Sequence, residues 1–124
     1  MTEAELRAEI AAGVAFLGLE IDGGLVGVMG IQSIRDVYLI RHAYVRPDRQ
    51  REGVGAELIE HLRRRCAERM LVGTWAAASW AISFYERHGF ALVAQEHTAA
   101  LLRNYWTIPE RQIATSVVLA NPPL

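Results

Sequence analysis

An apolar run that leads straight into a glycine-bearing polar turn constrains the fold more than any other part of this sequence. Val37 to Val45 is apolar apart from two residues, which is typical of a strand buried on both faces. The polar segment Arg46 to Gly55 follows, and apolar residues then recur at helical spacing. These are Val54, Leu58, Ile59, Leu62 and Cys66. The pattern predicts a strand, a turn and an amphipathic helix that ends near Glu68.

The segments before this unit predict a helix and a hairpin. Thr2 to Ala11 begins with the Thr-x-x-Glu spacing of a capping box, which favours a short helix. Val14 to Ile21 and Leu25 to Gln32 are rich in strand-forming residues. Asp22 to Gly24 separates them and supplies residues that adopt positive φ in a tight turn. We therefore expect three antiparallel strands in succession.

The second half of the chain predicts shorter elements. Helices are expected at Trp80–His88, between a Ser79 cap and Gly89, and at Thr98–Asn104, with Pro109 ending the segment after it. Strands are expected at Leu71–Trp75, Phe90–Ala94 and Ile113–Leu119. The whole order predicts an α/β fold in which an antiparallel meander feeds a βαβ unit. We expect a mixed sheet with helices on both faces.

Composition narrows the range of functions. A chain of 124 residues, 52% of them hydrophobic, predicts a single globular domain over residues 1–124. A net charge of −1 argues against an electrostatic grip on nucleic acid or an anionic membrane. The single cysteine, Cys66, argues against an internal disulfide or a cysteine-based zinc site, and we expect no metal. The acidic, polar N-terminus is unlike a secretory signal, so we expect a cytoplasmic protein.

The turn before the predicted helix at Val54 is a candidate anion site. The first N–H groups of a helix lack partners, and the helix dipole adds partial positive charge there. Gly53 and Gly55 allow a ligand to approach the backbone closely, and Arg49 and Arg51 add charge. The segment lacks the pattern of a P-loop or of a dinucleotide fingerprint. From the residues alone, a pyrophosphate cradle and an ordinary packing turn both remain open.

Two segments, Gln50 to Gly55 and Ala81 to Phe90, resemble motifs of the GNAT superfamily of N-acetyltransferases. Gln50 to Gly55 resembles the superfamily's Arg/Gln-x-x-Gly-x-Gly/Ala motif, and Val45-Arg46-Pro47 matches the strand end before it. Ala81 to Phe90 resembles the superfamily's A-I-x-F-Y-E-x-x-G-F segment. The matching region runs from about Phe16 to Phe90. The resemblance implies a GNAT-like mixed central sheet with helices on both faces, in an N-terminally shortened form.

The resemblance also implies a reaction and a cosubstrate. It implies an N-acetyltransferase that moves an acetyl group from acetyl-CoA directly to an amine of a small molecule or peptide. The pyrophosphate of coenzyme A would rest on the glycine turn, and the pantetheine arm would follow the end of the preceding strand. The implied cofactor-binding residues are Ala43, Tyr44, Val45, Gln50, Arg51, Glu52, Gly53, Val54, Gly55 and Ala56.

Candidate catalytic residues follow from the same resemblance. Tyr85 occupies the position that the superfamily places near the sulfur, where a neutral phenol can protonate the departing thiolate. The alternative is a core aromatic on an amphipathic helix. An amine must lose a proton before attack, and His42 or Glu20 could accept it, as could a chain of water. His42 could instead be a hydrogen-bonded core histidine. Because Arg41 should point to the opposite face of the strand, we expect only one of these two neighbours to line the acceptor cleft.

Three departures from the superfamily pattern add expectations. Its members usually open with a strand and a helix that this sequence lacks, so Val14 to Ile21 is expected to be an open sheet edge that favours a homodimer. Ala78 stands where an asparagine is frequent, which removes one possible contact to coenzyme A. Gln95 to Gln112 is long for a connection, and we expect it to shape the acceptor pocket. A non-catalytic acyl-CoA-binding regulatory module is the alternative function.

Overall fold

The computed structural model describes residues 2–124, which form two compact units. Unit 1 ends at Glu68, and unit 2 runs from Arg69 to Leu124. The elements of unit 1 are α1 (Glu3–Ala11), β1 (Val14–Ile21), β2 (Gly24–Ile34), β3 (Val37–Val45) and α2 (Val54–Arg65). The elements of unit 2 are β4 (Arg69–Trp75), α3 (Ser79–Arg87), β5 (Ala91–Leu92), α4 (Gln95–Tyr105), α5 (Glu110–Ile113) and β6 (Ser116–Asn121). The prediction of one domain stays a prediction.

The strands of unit 1 form an antiparallel meander. Asp22 and Gly23 take the positive φ values of 53° and 78° that the turn between β1 and β2 requires. On one face of the sheet, Phe16 on β1 pairs with Gly30 on β2, which in turn pairs with His42 on β3. In the described part of the chain, β1 pairs with β2 alone, so it is an edge strand.

Helix α2 packs on the sheet through its apolar face. Val54, Leu58, Ile59 and Leu62 are buried, as their spacing predicts. Gly27 on β2 lies beneath this helix, and a Cβ atom there would lie 2.5 Å from Val54 Cγ1 and 3.1 Å from Leu58 Cδ1. Glycine is therefore required for this close approach of helix and strand.

Helix α1 lies much less tightly on the same unit. Its capping box is present, since the Thr2 hydroxyl accepts from the Glu5 N–H while the Glu5 carboxylate accepts from the Thr2 N–H. None of its residues is buried, and Leu6 and Ile10 leave 37% and 55% of their surface exposed. Capping rather than core packing therefore defines where this helix begins.

The strands of unit 2 pair antiparallel, with β6 paired to both β4 and β5. Leu71, Leu102, Val118 and Leu119 are among its fully buried residues. The Arg69 guanidinium donates to the carbonyls of Pro122 and Pro123 at 2.9 and 3.2 Å, which attaches the C-terminal segment to β4. No helix in residues 2–124 is long and apolar enough to cross a membrane.

Several predicted boundaries are wrong, mostly in unit 2. Ser79 is the first helical residue of α3 rather than its cap; Ala78 holds the cap position with no side-chain hydrogen bond. Helix α2 stops at Arg65 because Cys66 is already extended, with φ −103° and ψ 114°. The sequence patterns also missed α5, which begins directly after Pro109 and takes Ile113 out of the predicted last strand. Glu110, Arg111 and Gln112 are good helix formers, and the one β-branched residue, Ile113, is buried.

Candidate active site

The turn that leads into α2 presents unpaired backbone donors. Gly53 holds the N-cap position in the left-handed region, at φ 83° and ψ 8°, and no side chain caps the helix. The first bond into the helix runs from the Glu57 N–H to the Gly53 carbonyl at 3.0 Å. The N–H groups of Val54, Gly55 and Ala56 therefore have no acceptor within the helix. A Cβ atom on Gly53 would meet nothing within 4 Å, so the space above the turn is open.

The arginines around this turn differ in their partners. The Arg46 guanidinium bonds both carboxylate oxygens of Asp48, at 2.6 and 2.9 Å, and this hydrogen bonding lowers the pKa of the aspartate. Arg49 lies 3.4 Å from a carboxylate oxygen of Glu52. Arg51 is exposed, has a positive φ of 68°, and has no carboxylate partner among the described residues. Of the two arginines predicted to add charge, only Arg51 is free to meet an anion.

The turn is tied to the end of β3. The Gln50 side chain donates to the Val45 carbonyl at 3.3 Å, and the Arg46 N–H donates to the Val26 carbonyl at 2.8 Å. Gln50 thus holds the loop against the strand through a backbone contact. The structure therefore brings together, within unit 1, the strand end from Ala43 to Val45 and the glycine turn.

His42 lies on the opposite side of the meander from α2 and contacts α1. Its ring stacks on Phe16, with centroids 5.6 Å apart and planes 25° apart, beside Gly30, where a Cβ would crowd both rings. The His42 Nε2 atom is buried without a hydrogen bond, and Glu9 Oε2 lies 3.5 Å from it. His42 is thus half-buried, with no hydrogen bond at Nε2, and its catalytic role stays a prediction.

Glu9 is the residue that sequence reasoning missed. It lies three residues after Leu6 and directly before Ile10, so an acidic group interrupts the apolar side of α1 that faces the sheet. That interruption is the signal that could have identified it. Glu20, the other candidate base, is exposed near the hairpin turn and does not line the cavity described next.

A cavity of about 760 Å³ opens beside His42 within unit 1. The expectation that Arg41 and His42 face opposite sides is wrong, since both line it. The register explains this: His42 pairs with Gly30 and Ile40 with Ile31, which leaves Arg41 as the extra residue of a bulge. The cavity lining is otherwise apolar and consists of Leu6, Ile10, Phe16, Leu25, Val28, Ala43 and Tyr44.

Segment 95–112 lines smaller cavities within unit 2. One of about 260 Å³ lies beside the bidentate pair of Arg103 and Glu110, and another of about 100 Å³ lies beside Trp106. The expectation that this segment shapes the acceptor pocket stays a prediction. In residues 2–124 there is no cluster of three or more histidine, cysteine or acidic side chains able to hold a metal ion.

Tyr85 lies in unit 2, on α3, and only 6% of its surface is exposed. Its ring makes edge contacts with Phe84 and Phe90, at centroid distances of 5.1 and 5.4 Å. Burial raises the pKa of the phenol to about 12, so the hydroxyl stays protonated at neutral pH. The side chain is thus part of the core and also a neutral proton donor. Its catalytic role stays a prediction.

Comparison with known proteins shows which family of domains contains this turn. The model of the acetyltransferase (GNAT) domain matches residues 12–92, well over half of the chain. The chain belongs to the GNAT acetyltransferase family. No curated protein sequence matches it at a significant level. Membership confirms the family and the acyltransferase class predicted from the two motifs.

Solved structures of GNAT proteins have the same fold. The ribosomal-protein-S18-alanine N-acetyltransferase from Escherichia coli is 22% identical with a TM-score of 0.71, over 97% of this chain and 76% of that one. A GNAT acetyltransferase from Elizabethkingia anophelis with acetyl-CoA bound is 13% identical with a TM-score of 0.72, over 96% and 82%. A Bacillus subtilis acetyltransferase in complex with CoA is 22% identical with a TM-score of 0.69, over 96% and 82%. The predicted fold class, a GNAT-like mixed sheet with helices, is confirmed, as is acetyl-CoA as the cosubstrate of the family.

Proposed function

We propose that this protein binds acetyl-CoA at the turn before α2 and transfers the acetyl group directly to an amine. The observation that carries the proposal is the left-handed Gly53, which opens α2 with free N–H groups and has open space where its Cβ would lie. Backbone donors and the positive end of the helix dipole together favour a pyrophosphate. Arg51 supplies a cation that no carboxylate within residues 2–124 neutralises.

The pantetheine arm would follow the end of β3. Ala43 and Tyr44 are exposed there, while the Gln50 side chain holds the Val45 carbonyl and so sets the distance from strand to turn. In this proposal Gln50 and Glu52 shape the turn, Glu52 through its pairing with Arg49. The remaining predicted residues of the turn bind through their backbone N–H groups.

We assign the acid and the base of the reaction to Tyr85 and His42. The neutral phenol of Tyr85 would give its proton to the thiolate that leaves when the thioester carbon–sulfur bond breaks. The His42 imidazole would accept the proton that the amine nitrogen loses as it bonds to the acetyl carbon. His42 is favoured over Glu20 because it lines a cavity and Glu20 does not.

Two measurements on the full chain test the proposal. Acetyl-CoA should raise the midpoint of thermal unfolding, because a ligand that binds only the folded state stabilises it. Released coenzyme A thiol should then appear with at least one member of a panel of primary amines. Saturable acetyl-CoA binding without thiol release from any amine would favour the regulatory module instead. An unfolding midpoint that acetyl-CoA does not move would contradict the donor site itself.

We also propose that the protein is a cytoplasmic homodimer, without nucleic-acid or membrane partners. Strand β1 pairs on one side only among the described residues, and an unpaired edge favours strand addition. The net charge of −1 provides no general attraction to anionic polymers. Light scattering at high micromolar concentration should give the dimer mass, and a monomer mass there would contradict the proposal.

A further inference from the structure

Three features of the cavity in unit 1 point to the class of the acceptor. Its wall is mostly apolar, Arg41 and His42 both line it, and Glu9 of α1 lies beside His42. A volume of about 760 Å³ lies in the range of small-molecule sites. These features favour a ligand with an apolar part, an anionic group and an amine.

Arg41 is the most informative of these groups. It is the extra residue of the bulge in β3, which turns it toward the same cavity as its neighbour His42. Within residues 2–124 no carboxylate pairs with it, although Arg46, Arg49, Arg63 and Arg103 all have carboxylate partners. Arg41 is half-buried in a mostly apolar wall, and a guanidinium there favours a carboxylate ligand, which it binds through paired hydrogen bonds.

A second group that could bind part of the ligand is His42. Glu9 Oε2 is 3.5 Å from His42 Nε2, and both side chains are about one quarter to one third exposed. A carboxylate there attracts an ammonium group, which is the form in which an amine arrives at neutral pH. Phe16, Gly30 and the α1 residues Leu6 and Ile10 surround this pair and bring no further charge.

We infer that the cavity of unit 1 binds an apolar α-amino acid as the acetyl acceptor. The ammonium group would lie at Glu9 and His42, the carboxylate at Arg41, and the apolar side chain against Leu25, Val28 and Tyr44. The inference deepens the proposed function and rests on it for the chemistry. The inference assigns each of three groups of the ligand to a different part of the cavity. The carboxylate and the apolar side chain can therefore be removed one at a time.

The test compares phenylalanine with two acceptors that each lack one of its groups. Phenylalanine has all three groups, phenethylamine lacks the carboxylate, and alanine lacks the large apolar side chain. Thiol release should give a kcat/KM for phenylalanine about tenfold to a hundredfold above that for either of the others. Equal values for phenylalanine and phenethylamine would overturn the assignment of Arg41 and with it the amino acid.

Two variants locate the effect in this cavity. Arg41→Gln should lower the kcat/KM for phenylalanine toward that for phenethylamine. Leu25→Ser should bring phenylalanine toward alanine, and it should fold because 56% of Leu25 is exposed. Leu92→Ser is the matched control, since Leu92 is 46% exposed and belongs to unit 2. If Leu25→Ser behaves like this control, the ligand lies elsewhere.

A binding measurement separates this inference from the proposed function. Calorimetric titration of phenylalanine, phenethylamine and alanine into the full chain without acetyl-CoA tests the cavity alone. Tightest binding of phenylalanine, weakened by Arg41→Gln, supports the inference even if no thiol is released. No preference for phenylalanine in this titration overturns it even if acetyl-CoA binds and other amines are acetylated.

Discussion

The two units differ in what they leave unsatisfied. Unit 1 has free donors behind Gly53, an imidazole nitrogen without a hydrogen bond and a cavity of about 760 Å³. In unit 2, Arg103 and Glu110 form a bidentate pair, Arg69 holds the C-terminal carbonyls, and the cavities in segment 95–112 measure about 260 and 100 Å³. The unsatisfied donors and the largest of these three cavities thus lie in unit 1, whereas unit 2 contains the buried phenol of Tyr85.

The same comparison shows that an uncapped helix is not by itself a site. Helices α3 and α4 also begin without a side-chain cap, but at Ala78 and Ala94, with φ values of −82° and −54°. Helix α2 begins at a left-handed glycine with open space above it and an unpaired arginine two residues before. A positive-φ glycine alone is equally insufficient, since Gly23 has one in a hairpin turn that joins two strands. The combination distinguishes the turn before α2.

The largest expected effect tests whether unit 2 contributes to the chemistry. Tyr85→Phe keeps the ring and its edge contacts with Phe84 and Phe90 and removes only the hydroxyl. Loss of a positioned general acid should lower kcat by about 10²- to 10⁴-fold, while the Kd for acetyl-CoA changes little. Steady-state kinetics with a verified amine and calorimetric titration measure the two quantities. Full turnover in the variant would show that the tyrosine only packs.

The next effect tests the phosphate site of unit 1 by comparing two glycines with similar backbone φ angles. Gly53→Glu and Gly23→Glu introduce the same charge at φ 83° and 78°, and neither Cβ would meet a neighbour within 4 Å. Both should lose about 1–2 kcal/mol of stability from the left-handed conformation. Only Gly53→Glu should weaken acetyl-CoA binding, by about a hundredfold or more, because its carboxylate meets the phosphates. Equal affinities of the two folded variants would remove the phosphate site from this turn.

The raised pKa of Tyr85 predicts a difference at alkaline pH. The phenol titrates near 10 in the unfolded chain and at about 12 in the folded one, so the folded state holds its proton more tightly. The contribution to stability is complete below pH 10 and is lost as the pH rises to about 12. Urea unfolding should therefore show a steeper loss of stability over that interval for the wild type than for Tyr85→Phe. Parallel curves would mean that the phenol is not buried.

How much of this could be predicted from the sequence depends on what sets each feature. The bounds of β1 and β3 match their apolar runs, and the turn at Gly53 follows from glycine and polar residues in local order. The cavity beside His42 depends instead on a bulge at Arg41, which exists only because β2 and β3 pair in a shifted register. The approach of Glu9 to His42 likewise joins residues far apart in the chain. Periodicity assumes a regular strand, so it placed Arg41 on the wrong face.

A smaller effect compares two strand glycines, one in each unit. A Cβ on Gly27 would lie 2.5 Å from Val54 Cγ1, whereas one on Gly73 in β4 would lie 3.5 Å from Trp106, an ordinary contact. Gly27→Ala should cost about 1–3 kcal/mol through overpacking under α2, and Gly73→Ala should change stability by much less. Urea unfolding of both variants gives the difference. An equally small loss for both variants would show that α2 adjusts without cost, and that its position relative to β2 is not fixed by this contact.

The smallest effect, on acetyl-CoA affinity, compares two arginines of the turn that differ in their carboxylate partners. Arg51 has no carboxylate partner among residues 2–124, whereas Arg49 lies 3.4 Å from Glu52, so its charge is already partly neutralised. Arg51→Gln should weaken acetyl-CoA binding severalfold, on the order of 1 kcal/mol, and Arg49→Gln by less. The loss should shrink as the salt concentration rises, because screening weakens attraction between exposed charges. Titrations at low and high salt test both statements. A larger loss for Arg49→Gln would mean that the bound phosphates displace Glu52 from Arg49, and that the paired arginine is the one that binds.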